Sequence, residues 1–369
     1  MSGLAINSIS LSHFRSHRAA KIDFSSGPVA LFGDNGAGKT NVLEAISILS
    51  PGRGLRRAAL GDMARKPESL GWKITAEVAG LRQNHFIETW YQSGASRQVR
   101  LDDKAASQAA LARVARVVWL VPAMDRLWIE AAEGRRRFLD RLTLSFMPDH
   151  AEATLSYERA MRDRNRLLKD QAKDPHWYAI LEQQMAVSGQ IIMQNRRETL
   201  ARLQMAQSQA QTAFPAAMIT LTSADGAPLV SDSDLATALS EGRIRDMAAG
   251  RTLQGPHRVD MAALYQDKSM PADQCSTGEQ KALLVSLVLA NARALLADIG
   301  MAPVLLLDEV AAHLDQDRRA ALYDELCDLG SQTFMTGTGP ELFLALKGRA
   351  QMMQIRDQMG TSSIENLTD

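Results

Sequence analysis

The stretch that decides the fold of this chain is Gly33-Asp34-Asn35-Gly36-Ala37-Gly38-Lys39-Thr40. It matches the pattern G-x-x-x-x-G-K-[ST] at every fixed position, and this pattern builds a loop whose backbone N–H groups surround phosphate oxygens. The apolar run Val29–Phe32 before it predicts a strand. The helical spacing of apolar residues in 41–49 predicts a helix whose positive N-terminal end adds to the phosphate site. A chance glycine turn is the alternative, and this strand–loop–helix context argues against it.

The residue types of this loop indicate a nucleoside triphosphate with Mg²⁺ as the ligand. Lys39 can reach the β and γ phosphate oxygens, and the Thr40 hydroxyl can ligate Mg²⁺. The residues that we expect to bind the nucleotide are Gly33, Asp34, Asn35, Gly36, Ala37, Gly38, Lys39, Thr40 and Asn41.

A second apolar run, Val304–Leu307, predicts a buried strand of a parallel sheet and is followed by Asp308 and Glu309. We expect Asp308 to hold Mg²⁺ through water and Glu309 to act as the catalytic residue that polarises the attacking water. Many buried strands end in an acid, so it is the phosphate loop upstream that favours the nucleotide interpretation. Two adjacent acids favour an ABC-type ATPase over a GTPase, and the sequence has no Asn-Lys-x-Asp run for guanine selection.

Residues 275–280 (CSTGEQ) precede a helical pattern and resemble the ABC signature L-S-G-G-Q/E, with Ser276 and Gly278 matching and the two other positions differing. The resemblance implies that this helix N-terminus binds the γ-phosphate held by a second protomer, through N–H groups and a hydroxyl. An ordinary helix cap is the alternative, because Ser276 and Glu279 have the spacing of a capping box.

Residues 311–315 resemble the D-loop of ABC proteins, in which Asp315 would line the dimer seam. Residues 332–338 (QTFMTGT) predict the next strand, and there the resemblance implies a switch histidine. The segment has no histidine, and Thr336 or Thr338 stands at that place. The departure leaves the sensing of the γ-phosphate open and indicates slow hydrolysis.

Longer stretches resemble one family, the RecF recombination mediators of bacteria, in the ABC/SMC class of ATPases. Residues 32–41 followed by 43–46 are very similar to the phosphate-loop segment of that family. Residues 134–140 (GRRRFLD) and 255–258 (GPHR) resemble two further family segments. The matching segments run in the family order over almost the whole chain.

One more segment, residues 13–17 (HFRSH), resembles the "FRS/FRN" segment of SMC-class repair ATPases, which implies that Arg15 lies near the nucleotide. Three positions depart from the family pattern, namely Val121, Met124 and Val259. They leave the loop after Val121 without an assigned role and do not alter the family resemblance.

The resemblance implies an α/β fold, with an ABC-type ATPase head made of a phosphate-loop sheet and an antiparallel subsheet. A short helical lobe would complete it, SMC-like but without a long coiled coil. The implied activity is an ATP-dependent homodimer that binds gapped or junction DNA without sequence choice and cooperates with RecO and RecR to load the RecA recombinase. Weak, DNA-stimulated ATP hydrolysis would reset the switch. The alternative is an ATP switch that serves protein assembly without a direct DNA role.

The pattern of elements predicts how the chain is divided. We expect residues 1–128 and 251–369 to form the ATPase lobe and residues 129–250 to be mainly helical, with a break at Asp174-Pro175 in a helical stretch from 130 to 213. Short strands of a meander are expected at 72–79, 85–91 and 97–101. The residues after Met359 look frayed.

The overall charge limits how DNA can be bound. The 42 basic and 42 acidic side chains give a formal net charge of zero, so DNA contact requires local patches. Solvated helix faces are the alternative interpretation of such clusters. The clustered basic residues are Arg53, Arg56, Arg57, Arg135, Arg136, Arg137, Arg141, Arg159, Arg162, Arg164, Arg166, Lys169, Arg196 and Arg197.

Three features predict a cytoplasmic protein. The only two cysteines, Cys275 and Cys327, are far apart in the sequence, which fits a reducing compartment. The N-terminus lacks the pattern of a signal peptide. The longest apolar run, residues 282–290, is far shorter than a membrane span.

Overall fold

The structure, a computed structural model, describes residues 4–80, 83–223 and 235–367. The chain is divided into two compact units. The first comprises Met1–Asp125, Ala206–Ala216 and Ser276–Asp369, and the second comprises Arg126–Met205 and Ala217–Cys275.

The strands and helices are numbered in chain order. The strands are β1 (Ala5–Phe14), β2 (His17–Asp23), β3 (Val29–Phe32), β4 (Trp72–Ala79), β5 (Asn84–Tyr91), β6 (Gln98–Leu101), β7 (Lys104–Ala105), β8 (Val117–Leu120), β9 (Ala217–Ser223), β10 (Val259–Tyr265), β11 (Met270–Pro271), β12 (Val304–Leu307), β13 (Thr333–Gly337), β14 (Gln351–Gln358) and β15 (Thr361–Asn366). The α-helices are α1 (Lys39–Ile48), α2 (Ala132–Phe146), α3 (His150–Lys169), α4 (Pro175–Ser208), α5 (Leu235–Glu241), α6 (Arg243–Ala249), α7 (Thr277–Ile299) and α8 (Gln316–Asp328).

The first unit is built around a sheet with the strand order β15-β14-β3-β13-β12-β8. Its neighbouring strands are parallel, except that β15 runs antiparallel to β14. Strands β3 and β12 are buried along their whole length, as expected for a parallel sheet covered on both faces. Both were predicted from the sequence, and both are confirmed with the same bounds. The glycine loop after β3 and the acids after β12 therefore emerge at the same, carboxyl edge of the sheet.

The other sheet of the first unit is antiparallel, with the order β2-β1-β4-β5-β6-β7. The predicted meander is confirmed, because β4, β5 and β6 begin and end within one residue of the expected bounds. The sequence alone does not predict β1 and β2, in which small and polar residues separate buried ones such as Ile9 and Leu11. These two strands are joined by a tight turn, with Phe14 paired to His17.

The second unit contains α2, α3, α5, α6, most of α4 and a small sheet with the order β11-β10-β9. The predicted helical stretch is confirmed as α2, α3 and α4, and α4 begins at the proline of the expected break. Residues 251–275 lie in this unit and not in the ATPase lobe that the sequence suggests, because β10 pairs with β9 from Val259↔Ser223 to Tyr265↔Ala217. Residues 206–216, in turn, belong to the first unit.

The expectation of a frayed end after Met359 is wrong for residues 360–367, and its last two positions, 368 and 369, lie outside the described residues. Strand β15 pairs with β14 over six positions, including Ile364↔Ile355, and Ser362 is buried. The segment has few apolar residues, so its sequence carries no strand signal. Its order comes from this pairing with the preceding strand and from contacts with distant residues, such as the hydrogen bond from the N–H of Ser362 to the carbonyl of Ser16.

Helix α7 passes through the core of the first unit. Among the described residues it is the one helix that is long and apolar enough to cross a membrane, with 23 residues and a window of 18 residues whose mean hydropathy is 1.8. In this structure 72% of its apolar window is buried in protein, as in the central helix of a globular fold. The short apolar run noted in the sequence is thus the middle of a longer buried helix.

Candidate nucleotide site

The loop between β3 and α1 has a backbone that only glycine adopts easily. Gly33, Gly36 and Gly38 have φ angles of 150°, 85° and 108°. A Cβ atom on Gly33 would lie 2.0 Å from the carbonyl oxygen of Ile355. Gly38 caps α1 without a side chain, so it cannot satisfy the first N–H groups of the helix. Those N–H groups and the helix dipole make this loop an anion site.

Lys39 is held over the loop. Its buried ammonium group donates hydrogen bonds to the carbonyl oxygens of Gly33 (2.7 Å) and Asp34 (2.9 Å). Burial lowers the pKa of Lys39, and the carboxylates of Glu309, Asp308 and Asp34 oppose that change. A cation that is held in place by backbone carbonyls is available to phosphate oxygens.

The buried ring of His17 adds no charge to this region. Burial lowers the pKa of His17 to about 4, so the imidazole is neutral near pH 7. Lys39 is therefore the titratable cation that the loop itself supplies.

The predicted magnesium ligands meet after β12. The Thr40 hydroxyl donates a hydrogen bond of 2.9 Å to Oδ1 of Asp308, which is buried. Hydroxyl and carboxylate oxygens of this kind hold Mg²⁺ in phosphoryl-transfer sites, where phosphate and water oxygens complete the octahedron. No group of three or more His, Cys, Asp and Glu side chains that could hold a metal occurs among the described residues. The pair fits Mg²⁺ bound jointly with a nucleotide.

Thr336 orders the two acids. Its buried hydroxyl donates to Oδ1 of Asp308 (2.7 Å) and accepts a hydrogen bond from the backbone N–H of Glu309 (2.8 Å). Glu309 has a φ angle of 54°, a conformation that non-glycine residues adopt at a cost and that occurs often at functional sites. Thr338 is exposed. Of the two threonines proposed at the place of the switch histidine, Thr336 is therefore the one that contacts the acids.

Arg15 contacts the helix that follows the loop. Its guanidinium forms two hydrogen bonds of 2.7 Å with the buried carboxylate of Glu44 on α1 and a third with the carbonyl of Asp62. Arg56 also pairs with Glu44 at 3.2 Å. The structure thus joins Arg15 to α1, and a contact with nucleotide stays a prediction.

The signature segment forms a complete capping box at the start of α7. The Ser276 hydroxyl accepts from the N–H of Glu279 (3.4 Å), and the Glu279 carboxylate accepts from the N–H of Ser276 (2.8 Å). The capping box, which was the alternative interpretation of this segment, is thus present, and the role as an ABC signature stays a prediction. Ser276 and Gly278 are nevertheless exposed, so the same helix end can also receive an anion.

The sequence also pointed to the D-loop residue Asp315 and to the loop after Val121. Asp315 is exposed and caps α8 by accepting a hydrogen bond of 2.9 Å from the N–H of Arg318. The loop after Val121, which has no assigned role from the sequence, contacts the signature helix, since Asp125 and Lys281 form an ion pair at 3.3 Å.

Two serines that the sequence does not single out as site residues also contact the loop. Ser362 of β15 and Ser16 of the β1–β2 turn both lie against Gly38, where an added Cβ would be 2.2 Å and 2.8 Å from their hydroxyl oxygens. Ser362 lies in no motif, and Ser16, although it belongs to the segment 13–17, was given no role of its own by the sequence.

The predicted basic clusters divide into internal and exposed groups. Arg135 forms two hydrogen bonds with Asp260, and Arg196 forms two with Asp140, all within the second unit. Arg164 is fully buried and pairs with Glu182 and Asp246, among other polar partners. The basic residues of α3 that remain exposed are Arg159, Arg162, Arg166 and Lys169.

Known proteins resemble the chain over nearly its full length. The model of the RecF/RecN/SMC N terminal domain family matches residues 5–361. The DNA replication and repair protein RecF of Rhizobium leguminosarum bv. trifolii is 46% identical over 365 residues, covering 96% of this chain and 98% of the relative. The protein of the same name from Mesorhizobium japonicum is 47% identical over 362 residues, covering 95% and 96%.

Solved structures share the fold. A structure described as the recombination mediator protein RecF-ATPrS in the RecFOR pathway has a TM-score of 0.83 at 22% identity, over 100% of this chain and 99% of that one. The Smc head domain of Pyrococcus furiosus, with an extended coiled coil and bound to part of ScpA, has a TM-score of 0.57 at 16% identity, over 99% and 96%. The expected class, an ABC-type ATPase head with a helical addition, is confirmed.

Proposed function

Because this chain belongs to the RecF family of DNA replication and repair proteins, within the RecF/RecN/SMC group, we propose that it is an ATP-driven dimerisation switch acting on DNA. The observation that carries the proposal is the meeting of the phosphate loop with two acids at one sheet edge, where Thr40, Asp308, Thr336 and Glu309 are linked by hydrogen bonds.

In this proposal the loop residues bind ATP and the acids act on its γ-phosphate. Thr40 would hold Mg²⁺ by its hydroxyl and Asp308 would hold it through water, and the ion would supply charge neutralisation to the triphosphate. Lys39 contacts its β and γ oxygens. Glu309 orients and polarises the attacking water, a role that its partial exposure and its fixed backbone permit. Hydrolysis is slow because Thr336 stands at the place of the switch histidine. Its hydroxyl is already hydrogen-bonded to Asp308 and to the N–H of Glu309.

Dimerisation is proposed from the exposed start of the signature helix. The exposed N-terminal turn of α7, with Ser276 and Gly278, binds the γ-phosphate held by a second copy of the chain, and Asp315 lines the seam between the copies. ATP then joins two protomers head to tail, and loss of the γ-phosphate removes the bridge. Arg15 acts on the nucleotide from the helix side of the loop.

DNA contact is assigned to α3. Arg159, Arg162, Arg166 and Lys169 are spaced by three, four and three residues, so they form one exposed stripe about 15 Å long. Such a stripe binds phosphates without reading the bases, which suits gapped or junction DNA of any sequence. The bound dimer works with RecO and RecR to load RecA, and DNA stimulates its weak ATPase activity.

The test is DNA binding by the purified chain at several salt concentrations, with and without ATP and Mg²⁺. We expect binding that requires ATP and weakens steeply as salt rises. Lys39→Ala should lose this ATP-dependent DNA binding, because the ammonium group that neutralises the phosphates is gone. Glu309→Gln should stay on DNA longer than the unchanged protein, since Asp308 still holds Mg²⁺ while water activation is impaired. DNA binding that is indifferent to ATP, or absent, would contradict the proposal.

One observation favours a second candidate, an ATP switch for protein assembly. Helix α4 exposes apolar side chains at helical spacing, namely Trp177 (59%), Ile180 (48%), Val187 (53%) and Ile191 (41%). Exposed apolar stripes commonly mark contacts with another protein. ATP-dependent dimerisation without salt-sensitive DNA binding would select this candidate.

We place the protein in the cytoplasm. The two cysteines, Cys275 and Cys327, are far apart in the sequence, as fits a reducing compartment. A DNA-repair role requires the same location as the DNA.

A further inference from the structure

We propose that Ser362, together with Ser16, positions the phosphate loop for ATP. Their hydroxyl groups form a hydrogen-bonded chain, here called the serine brace, that fixes one peptide of the loop so that the N–H of Gly38 is directed to the phosphates. The inference rests on the proposed ATP-binding function and adds positioning residues to it.

The brace is a continuous set of short contacts. Ser362 Oγ donates a hydrogen bond of 2.6 Å to the carbonyl of Ala37. The hydroxyl oxygens of Ser362 and Ser16 are 2.7 Å apart, and Asn41 Nδ2 donates to Ser16 Oγ at 2.7 Å. A hydroxyl has one proton and a carbonyl only accepts, so Ser16 must donate to Ser362. The donors then run in one direction, from Asn41 on α1 to Ala37 in the loop.

The two serines come from opposite ends of the chain and are themselves tied together. They are 346 positions apart. The N–H of Ser362 bonds to the carbonyl of Ser16 at 3.1 Å. Arg65, which is nearly buried, donates to the carbonyls of Ser16 (2.8 Å) and Gly360 (2.9 Å). The brace is therefore anchored on both sides, by the β1–β2 turn and by the β14–β15 hairpin.

Peptide geometry explains how the brace acts on the nucleotide. In a planar trans peptide the C=O of Ala37 and the N–H of Gly38 point in opposite directions. The hydrogen bond from Ser362 to that carbonyl therefore turns the N–H away from the serines, toward the side that the phosphates occupy in the proposed complex. The close approach needs a glycine, because a Cβ on Gly38 would lie 2.2 Å from Ser362 Oγ.

Nucleotide affinity tests the brace directly. In Ser362→Ala the loop peptide is free to rotate, and we expect the dissociation constants of ATP and ADP to rise by about 5- to 10-fold, the value of one hydrogen bond of roughly 1 kcal/mol. Both nucleotides should be affected alike, because the donor is in the loop and not at the γ-phosphate. The measurement is isothermal titration calorimetry on the full chain, with circular dichroism to verify folding.

The next residue of β15, Ser363, provides a matched control for Ser362→Ala. Its hydroxyl donates to the carbonyl of Arg356 (3.4 Å) within the hairpin, so Ser363→Ala should bind ATP normally. Ser16→Ala is the second variant, with an expected loss of about 3-fold, because the Ser362 bond to Ala37 survives. In the double variant the loss should not exceed that of Ser362→Ala, since Ser16 acts through Ser362.

The results distinguish a failure of the serine brace from a failure of the proposed function. Normal ATP affinity in a folded Ser362→Ala protein, or full additivity in the double variant, overturns the brace alone. If the unchanged protein fails to bind ATP, the proposed function falls and the brace falls with it.

Discussion

A single hydroxyl group fixes both acids at the candidate hydrolysis centre. Thr336 is fully buried on β13, where it donates to Asp308 and accepts from the N–H of Glu309. Its two bonds hold Glu309 in a left-handed conformation that the chain would otherwise avoid. In the proposed mechanism, Thr336 would therefore couple Mg²⁺ binding at Asp308 to the placement of Glu309.

Replacing Thr336 with valine tests this coupling. The exchange keeps the volume but removes the hydroxyl, so the N–H of Glu309 loses its partner. We expect ATP hydrolysis to slow by about 10-fold or more and the free energy of unfolding to fall by about 1–3 kcal/mol, with ATP affinity near normal. Thr338→Val, at an exposed position of the same segment, is the matched control and should change neither quantity. Unaltered hydrolysis in Thr336→Val would show that the hydroxyl does not position the acids.

The sequence predicted the residues whose role can be filled by only one or two types of side chain. It did not predict residues whose role depends only on where the fold places them. A lysine and a threonine after two glycines leave few interpretations other than a phosphate loop. Ser362 lies in no motif and Ser16 has no role of its own in the segment 13–17, so only the fold, which brings them 2.7 Å apart, reveals their contact. Thr336 was only one of two candidates, because periodicity does not say which threonine of a strand faces the acids.

At the scale of elements, α3 has one face that is buried inside the second unit and one basic face that is exposed. The buried Arg164 binds Glu182 and Asp246 inside the second unit, whereas the basic stripe of α3 is exposed. Asp163 pairs with Arg166 at 3.2 Å, which weakens the stripe at its middle. A charge cluster in the sequence cannot reveal this division, because partners such as Asp246 lie far away in the chain.

The stripe predicts a change in salt dependence. Arg159→Gln combined with Arg162→Gln should lower DNA affinity and reduce the slope of log K against log salt by about two, close to 0.9 for each phosphate that is no longer neutralised. Fluorescence anisotropy with ATP present gives both values. The control is Arg18→Gln combined with Lys21→Gln, an equal change of charge at exposed positions of β2. An identical slope in both double variants would remove α3 from the DNA interface.

For the whole molecule, regular patterns of apolar residues in the sequence were enough to predict the sheet core, the meander and the helical unit. They failed at two segments. The residues after Met359 looked frayed because most of them are polar, yet Ile364 pairs with Ile355 in the β14–β15 hairpin. The segment 251–275 was assigned to the ATPase lobe, whereas the pairing of β10 with β9 puts it in the second unit.

ATP-dependent association of the whole chain is the central claim, and a mixing experiment by analytical ultracentrifugation tests it most directly. The unchanged protein should be monomeric alone and dimeric with ATP and Mg²⁺. Lys39→Ala should stay monomeric because it does not bind ATP. Ser276→Arg should stay monomeric although it binds ATP, because the arginine fills the space for the partner's phosphate.

The mixture of the two variants decides the geometry. In a head-to-tail dimer one composite site carries both substitutions and the other carries none, so the mixture should regain weak ATP-dependent association that neither variant shows alone. If Ser276 only caps α7, the arginine costs about 1 kcal/mol of stability and spares dimerisation. A Ser276→Arg protein that dimerises normally with ATP would contradict the composite site.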